Sequence, residues 1–183
     1  ARKIMTSSNI NELDERGNSP LFIACNKGLE EIVNELLQKG ASLEFEIKNT
    51  LDFKTLVDVA SYGGFLSITR CLLYHGIKGS IYSIFYAISG DYLDIVNVLL
   101  DYQSDLRHEQ DSGGNSLLCI ACHSGKIDIV KMLLSSNSDV NHQNDRGETP
   151  LIIACKSFLK YNSDVFKKDS PIVSTFLAIV SLL

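Results

Sequence analysis

Cys119-Ile120-Ala121-Cys122-His123 is the stretch best equipped for chemistry, because it spells C-x-x-C-H, the spacing used to attach haem. Two thiols three residues apart also share one side of a helix, which makes metal chelation the second chemistry to weigh. A tetrahedral site needs further ligands, and the chain has no second C-x-x-C and no H-x-x-x-H. His75, His108 and His142 have no serine or cysteine at the motif spacing of a nucleophile and its base. We read the cysteines as structural, and expect no catalytic residue, no metal and no cofactor. Five cysteines make an odd count without framework spacing, which fits a reducing compartment, cytoplasmic or nuclear.

Composition narrows the class. The chain has 183 residues, 45% hydrophobic and 21% charged, as in a globular domain with a continuous core. A formal net charge of −5 argues against a binder of phosphate backbones, so no nucleic acid partner is expected. The start, Ala1-Arg2-Lys3, is not a signal peptide and lacks an initiator Met, so we expect a domain excised from a longer chain. The longest apolar run, residues 172–183, is broken by Ser and Thr and is too short to span a bilayer; no membrane is expected.

The elements that hold these residues repeat. Ala24, Ala60, Ala87, Ala121 and Ala154 occupy one slot, at spacings of 36, 27, 34 and 33 residues. Ile32, Ile68, Ile95 and Ile129 occupy another, and Leu36-Leu37 returns as Leu72-Leu73, Leu99-Leu100 and Leu133-Leu134. Each unit reads as a turn, a short helix, a tight reversal and a second helix. Ser19 and Thr149 are placed to cap the first helix, with Pro20 and Pro150 at its first position. The small alanine lets neighbouring helices approach. Ile-Val-x-x-Leu-Leu lines one helical face, which a single unit cannot cover and a stack can.

Asp14-x-x-Gly17-x-Ser19-Pro20-Leu21-x-x-Ala24 and Asn144-x-x-Gly147-x-Thr149-Pro150-Leu151-x-x-Ala154 resemble the opening of the ankyrin repeat; Asp111-x-x-Gly114-x-Ser116-Leu117-Leu118-x-x-Ala121 matches it without the proline. The spacings scatter around the family period of about 33 residues. The resemblance implies an all-α, ankyrin-type solenoid of stacked antiparallel helix pairs with projecting finger loops, one domain over residues 1–183. Residues 1–13 read as the tail of a preceding repeat, followed by repeats at 14–46, 47–78, 79–110, 111–143 and 144–183. The middle units are degenerate. Phe53 stands in the Gly17 slot, and between residues 76 and 80 a short or absent finger is expected. Asp91 replaces the usual glycine, and Gly90 beside it is expected to serve instead. In the last unit the second helix is expected to start near Ile172, after an insertion at 157–170 that reads as a loop, with an extended first helix as the alternative.

The resemblance also implies the function, binding another protein or peptide as a scaffold or recruitment module. The alternative is an accessory domain packed on a catalytic neighbour of the same chain, and self-association through end repeats is a third reading. Carried over slot by slot, the expected partner-binding residues are Glu15, Arg16, Asn18, Asn26 and Lys27; Tyr62; Ser112, Asn115, His123 and Ser124; and Asp145, Arg146, Glu148 and Lys156. Tyr62, Tyr82 and Tyr86 in the middle units fit either core filling where a turn is lost or an aromatic floor in the groove. The same resemblance makes Asn141 a candidate for asparaginyl hydroxylation.

Overall fold

A computed structural model describes residues 10–43, 53–161 and 171–183, with side chains throughout except at 159–161 and 171–176. Its helices come in pairs: α1 (Pro20–Asn26) with α2 (Glu30–Gln38), α3 (Leu56–Tyr62) with α4 (Leu66–Tyr74), α5 (Ile81–Ser89) with α6 (Leu93–Tyr102), α7 (Leu117–His123) with α8 (Ile127–Ser135), and α9 (Pro150–Tyr161) with α10 (Pro171–Leu182). A 3-10 turn, Ser104–His108, follows α6. The first helices stack in one row, α1 on α3 on α5 on α7 on α9, and the second helices stack behind them. No helix among the described residues is long and apolar enough to cross a membrane.

The sequence slots explain this stack. All five alanines are buried in the inner row. Ile68, Leu72, Ile95, Leu99 and Ile129 are fully buried in the outer row, and each such side chain contributes about 1.5–3 kcal/mol. Ser19, Thr55, Ser80 and Ser116 cap the inner helices, their hydroxyls accepting from the backbone N–H of Phe22, Asp58, Tyr82 and Cys119. The α4–α5 connection is only residues 75–80, too short for a finger, as expected. α10 begins at Pro171, close to the expected start.

Two expectations need correction. Residues 157–161 belong to α9, so here the alternative, an extended first helix, replaces the loop; residues 162–170 lie outside the described residues. At the third pair, Gly90 does not stand in for the missing glycine. It keeps right-handed helical backbone at φ −79°, and Asp91 itself takes the left-handed conformation at φ 64°, which a short polar side chain tolerates better than most. Gly90 serves a different need: a Cβ there would lie 2.2 Å from Cε2 of Tyr92. The Tyr92 ring also packs over Gly64 of the preceding pair, and so ties two units together. Gly90→Ala is therefore expected to cost about 1–3 kcal/mol. Its φ suits alanine, so the loss reads the seat of the ring alone. A thermal melt measures it, and an unchanged midpoint would mean that the ring moves aside freely.

The middle of the stack has its own fastening. Asp58, in a slot that holds Phe22 and Cys119 elsewhere, is completely buried at the foot of α3. Its Oδ2 accepts the backbone N–H of Lys54 (2.7 Å) and Thr55 (2.9 Å). Its Oδ1 accepts the hydroxyls of Ser80 (2.8 Å) and Ser83 and the N–H of Ser80 (3.4 Å). One carboxylate thus joins the N-termini of α3 and α5 where the finger between their units is missing.

Candidate functional site

The finger loops are built by single side chains. Asp14 Oδ1 accepts the N–H of Arg16 (2.9 Å) and Asn18 (2.8 Å). Asp111 Oδ1 does the same for Gly113 (2.9 Å) and Asn115 (2.8 Å), and Asn144 Oδ1 for Arg146 (3.0 Å) and Glu148 (2.9 Å). These bonds use the side chain to fold the backbone into a local turn. Asparagine at 144 does more than the aspartates. Its Nδ2 donates to Asn115 Oδ1 (2.8 Å) and to Glu148 Oε2 (3.0 Å), which ties the fifth finger to the fourth. Asp145 N–H donates to the Gly113 carbonyl (3.1 Å), and His142 Nε2 to the Gly114 carbonyl (2.7 Å).

Between these knitted fingers and the ends of α5, α7 and α9 lies a groove of about 530 Å³. It gathers six of the residues expected from sequence: Asn115, His123, Ser124, Arg146, Glu148 and Lys156. Phe85, Ile120 and Ile153 supply its apolar lining. Glu148 accepts from Asn144 and is bonded to the Lys156 ammonium. The Lys156 bond, then that from Asn144, hold its carboxyl below the usual carboxylate range. His123 Nδ1 and Ser157 Oγ are hydrogen-bonded at 2.7 Å.

The other expected residues lie outside this groove. Ser112 and Asp145 are exposed on the finger tips. Glu15, Arg16, Asn26 and Lys27 are exposed on the first finger and the end of α1; Asn18 is half-buried, with its amide donating to Asp14 Oδ2 (3.0 Å). Tyr62 stands between the two groups, about half exposed at 52%. Its ring is edge-on to Phe53 and Tyr86, with centroids 5.5 and 5.4 Å away, so it is neither core nor free surface. Tyr82 is half-buried beneath the Lys54 ammonium, 4.8 Å from the ring centre.

The two cysteines of the C-x-x-C-H stretch are core, while His123 is exposed. Cys119 and Cys122 are buried, and burial pushes the Cys122 thiol up to about 12, as it does Cys25 in the same slot; Cys119 is raised too. A thiol held in its protonated form is a poor ligand and a poor nucleophile. Cys155, in the slot that Cys25 and Cys122 fill, is half-buried, because no further helix pair among the described residues covers that side of α9.

Sequence reasoning missed Asp58, Phe85, Asn144 and Ser157. Asp58 had one available signal, a charge in a slot otherwise filled by Phe22, Phe85, Cys119 and Ile152. Ser157 is useful only if α9 continues past the usual length of an inner helix, which the sequence offered only as the alternative to a loop.

Comparison with family models gives two matches, to ankyrin repeats in three copies over residues 84–167 and to a single ankyrin repeat over residues 16–49. Together they span well over half of the chain. The unmatched stretch between them holds α3 and α4, where the finger residues are lost. A comparison with curated proteins finds none that matches.

Proposed function

The chain belongs to the ankyrin-repeat family, and we propose that it works as a non-catalytic protein-binding module, scaffolding or recruiting a partner in the cytoplasm or nucleus. Ankyrin repeats are in general protein–protein interaction modules, and no catalytic domain is evident in the chain. The observation that carries the proposal is the groove between the fourth and fifth fingers, where expected contact positions from both fingers, α7 and α9 converge on an apolar floor. The fingers are cross-bonded before any partner arrives, so binding does not have to order them, which removes part of the entropic cost of association. Five free cysteines support a reducing compartment.

Affinity capture from native extract tests this. Arg146→Ala with Lys156→Ala is expected to leave far-UV circular dichroism unchanged and to reduce retained partner at least tenfold by quantitative mass spectrometry. Equal retention by variant and native protein would remove this groove as the binding surface.

A second reading rests on the end of the stack. Leu151 and Ile152 are 39% and 41% exposed, whereas Leu118 and Cys119 in the same slots are buried by α9. That open face suits self-association or packing against a neighbouring domain, and light scattering over a concentration range separates the two.

A further inference from the structure

We infer that the groove between the fourth and fifth fingers takes an acidic peptide segment with an apolar side chain between its carboxylates. This rests on the protein-binding reading above and adds the chemistry of the partner. The acidic and basic side chains that line the groove are Asp111, His123, Arg146, Glu148 and Lys156. Their formal charges nearly cancel, but their availability does not. Both carboxylates are consumed within the protein. Asp111 accepts from the N–H of Gly113 and Asn115 and from Asn115 Nδ2 at both oxygens (3.1 and 2.9 Å). Glu148 accepts from Asn144 with one oxygen and from Lys156 with the other.

The donors are left over. The Arg146 side chain is exposed and makes no hydrogen bond or ion pair among the described residues, while its backbone N–H is pinned to Asn144 Oδ1 at 3.0 Å. The finger therefore holds the Cα in place and leaves the planar fork open, the geometry that pairs with a carboxylate through two parallel bonds. Lys156 is 64% exposed and among the described residues bonds only Glu148, which uses one of its three ammonium hydrogens. His123 is held in place by its Nδ1 bond to Ser157 Oγ.

Below these donors sit Phe85 and Ile120, both half-buried, and the buried Ile153. An apolar side chain of the partner covers them while flanking carboxylates reach Arg146 and Lys156. A nucleic acid would offer the same donors its phosphates but nothing for the apolar floor, and its charge would meet a chain of net charge −5.

The test uses ¹⁵N-labelled protein and capped seven-residue peptides with a Gly-Ser flank on each side. The cores are Glu-Leu-Glu, its amide counterpart Gln-Leu-Gln, and Glu-Ser-Glu, which lacks the apolar anchor. Glu-Leu-Glu is expected to shift the amides of Asn115, Ser124, Arg146 and Lys156, with a Kd at least tenfold below that of either control and rising with salt. Arg146→Gln, an exposed substitution, is expected to weaken it at least tenfold with the rest of the spectrum unchanged. Equal shifts from Gln-Leu-Gln, no shift from any peptide at millimolar concentration, no effect of Arg146→Gln, or stronger shifts of the same amides by an oligouridine would each overturn the inference. Equal binding of the neutral peptide in this groove would leave the protein-binding reading standing, whereas undiminished partner capture by the Arg146/Lys156 double variant would remove the groove itself.

Discussion

Alanine in place of Asp58 is expected to lower stability by about 3–5 kcal/mol in urea denaturation followed by circular dichroism. Asp58 accepts five hydrogen bonds in a site without solvent, all from neutral donors. Removing the carboxylate leaves the Ser80 and Ser83 hydroxyls and the Lys54 and Thr55 amides with fewer acceptors, and it opens a void between α3 and α5. A hydrogen bond to a charged group contributes about 1.5–3 kcal/mol, and the bonds of one cluster do not add simply. Asp58→Asn separates charge from shape. Its oxygen can still serve Lys54 and Thr55, and its NH₂ can donate to the two serine oxygens. Those oxygens already accept from Tyr82 and Ser80, so each would gain a second donor while its own hydrogen loses the carboxylate. A cost of about 1–2 kcal/mol is expected for asparagine. A loss below about 1 kcal/mol for alanine would show that the packing of α3 on α5, not the carboxylate, holds the centre of the stack.

The fold was legible in the sequence because its period is written in small and apolar residues that act locally. The alanine slot marks the close approach of inner helices, Ile-Val-x-x-Leu-Leu marks the buried face of the outer ones, and the Ser19 cap lies three residues from the Phe22 N–H that donates to it. What stayed hidden depends on distance along the chain. Asp58 reads as a misplaced charge until Ser80 and Ser83 arrive 22 and 25 residues later. Asn144 looks like a weaker copy of Asp111 until its amide is seen reaching Asn115, 29 residues back. Asp91 misled because composition favours glycine for a left-handed residue, whereas the turn fixes which position must adopt it. The candidate site was legible as separate slots, but not as one groove on the C-terminal half. That grouping comes from α9 running past its usual length, which puts Ser157 against His123, and from Phe85 entering from the third unit.

Ala87→Leu should have the second large effect, because it strikes the centre of the row instead of its fastenings. Ala87 is completely buried on α5, which packs against α3 on one side and α7 on the other, and its carbonyl accepts Tyr92 N–H at 2.8 Å. Leucine adds three carbons where the neighbouring helix leaves no space, and overpacking of this kind costs about 1–3 kcal/mol, with the upper end expected here. In a stack each unit is stabilised mainly by its immediate neighbours. Weakening the central interface therefore lowers stability and also uncouples the two ends. The equilibrium unfolding curve of Ala87→Leu is expected to split into two transitions, where the native chain gives one. The same substitution at Ala154, on α9, is expected to cost at most about 1 kcal/mol, because among the described residues only one inner helix flanks it. A single transition for Ala87→Leu with a midpoint shift equal to that of Ala154→Leu would mean that stability is not passed from unit to unit along the inner row.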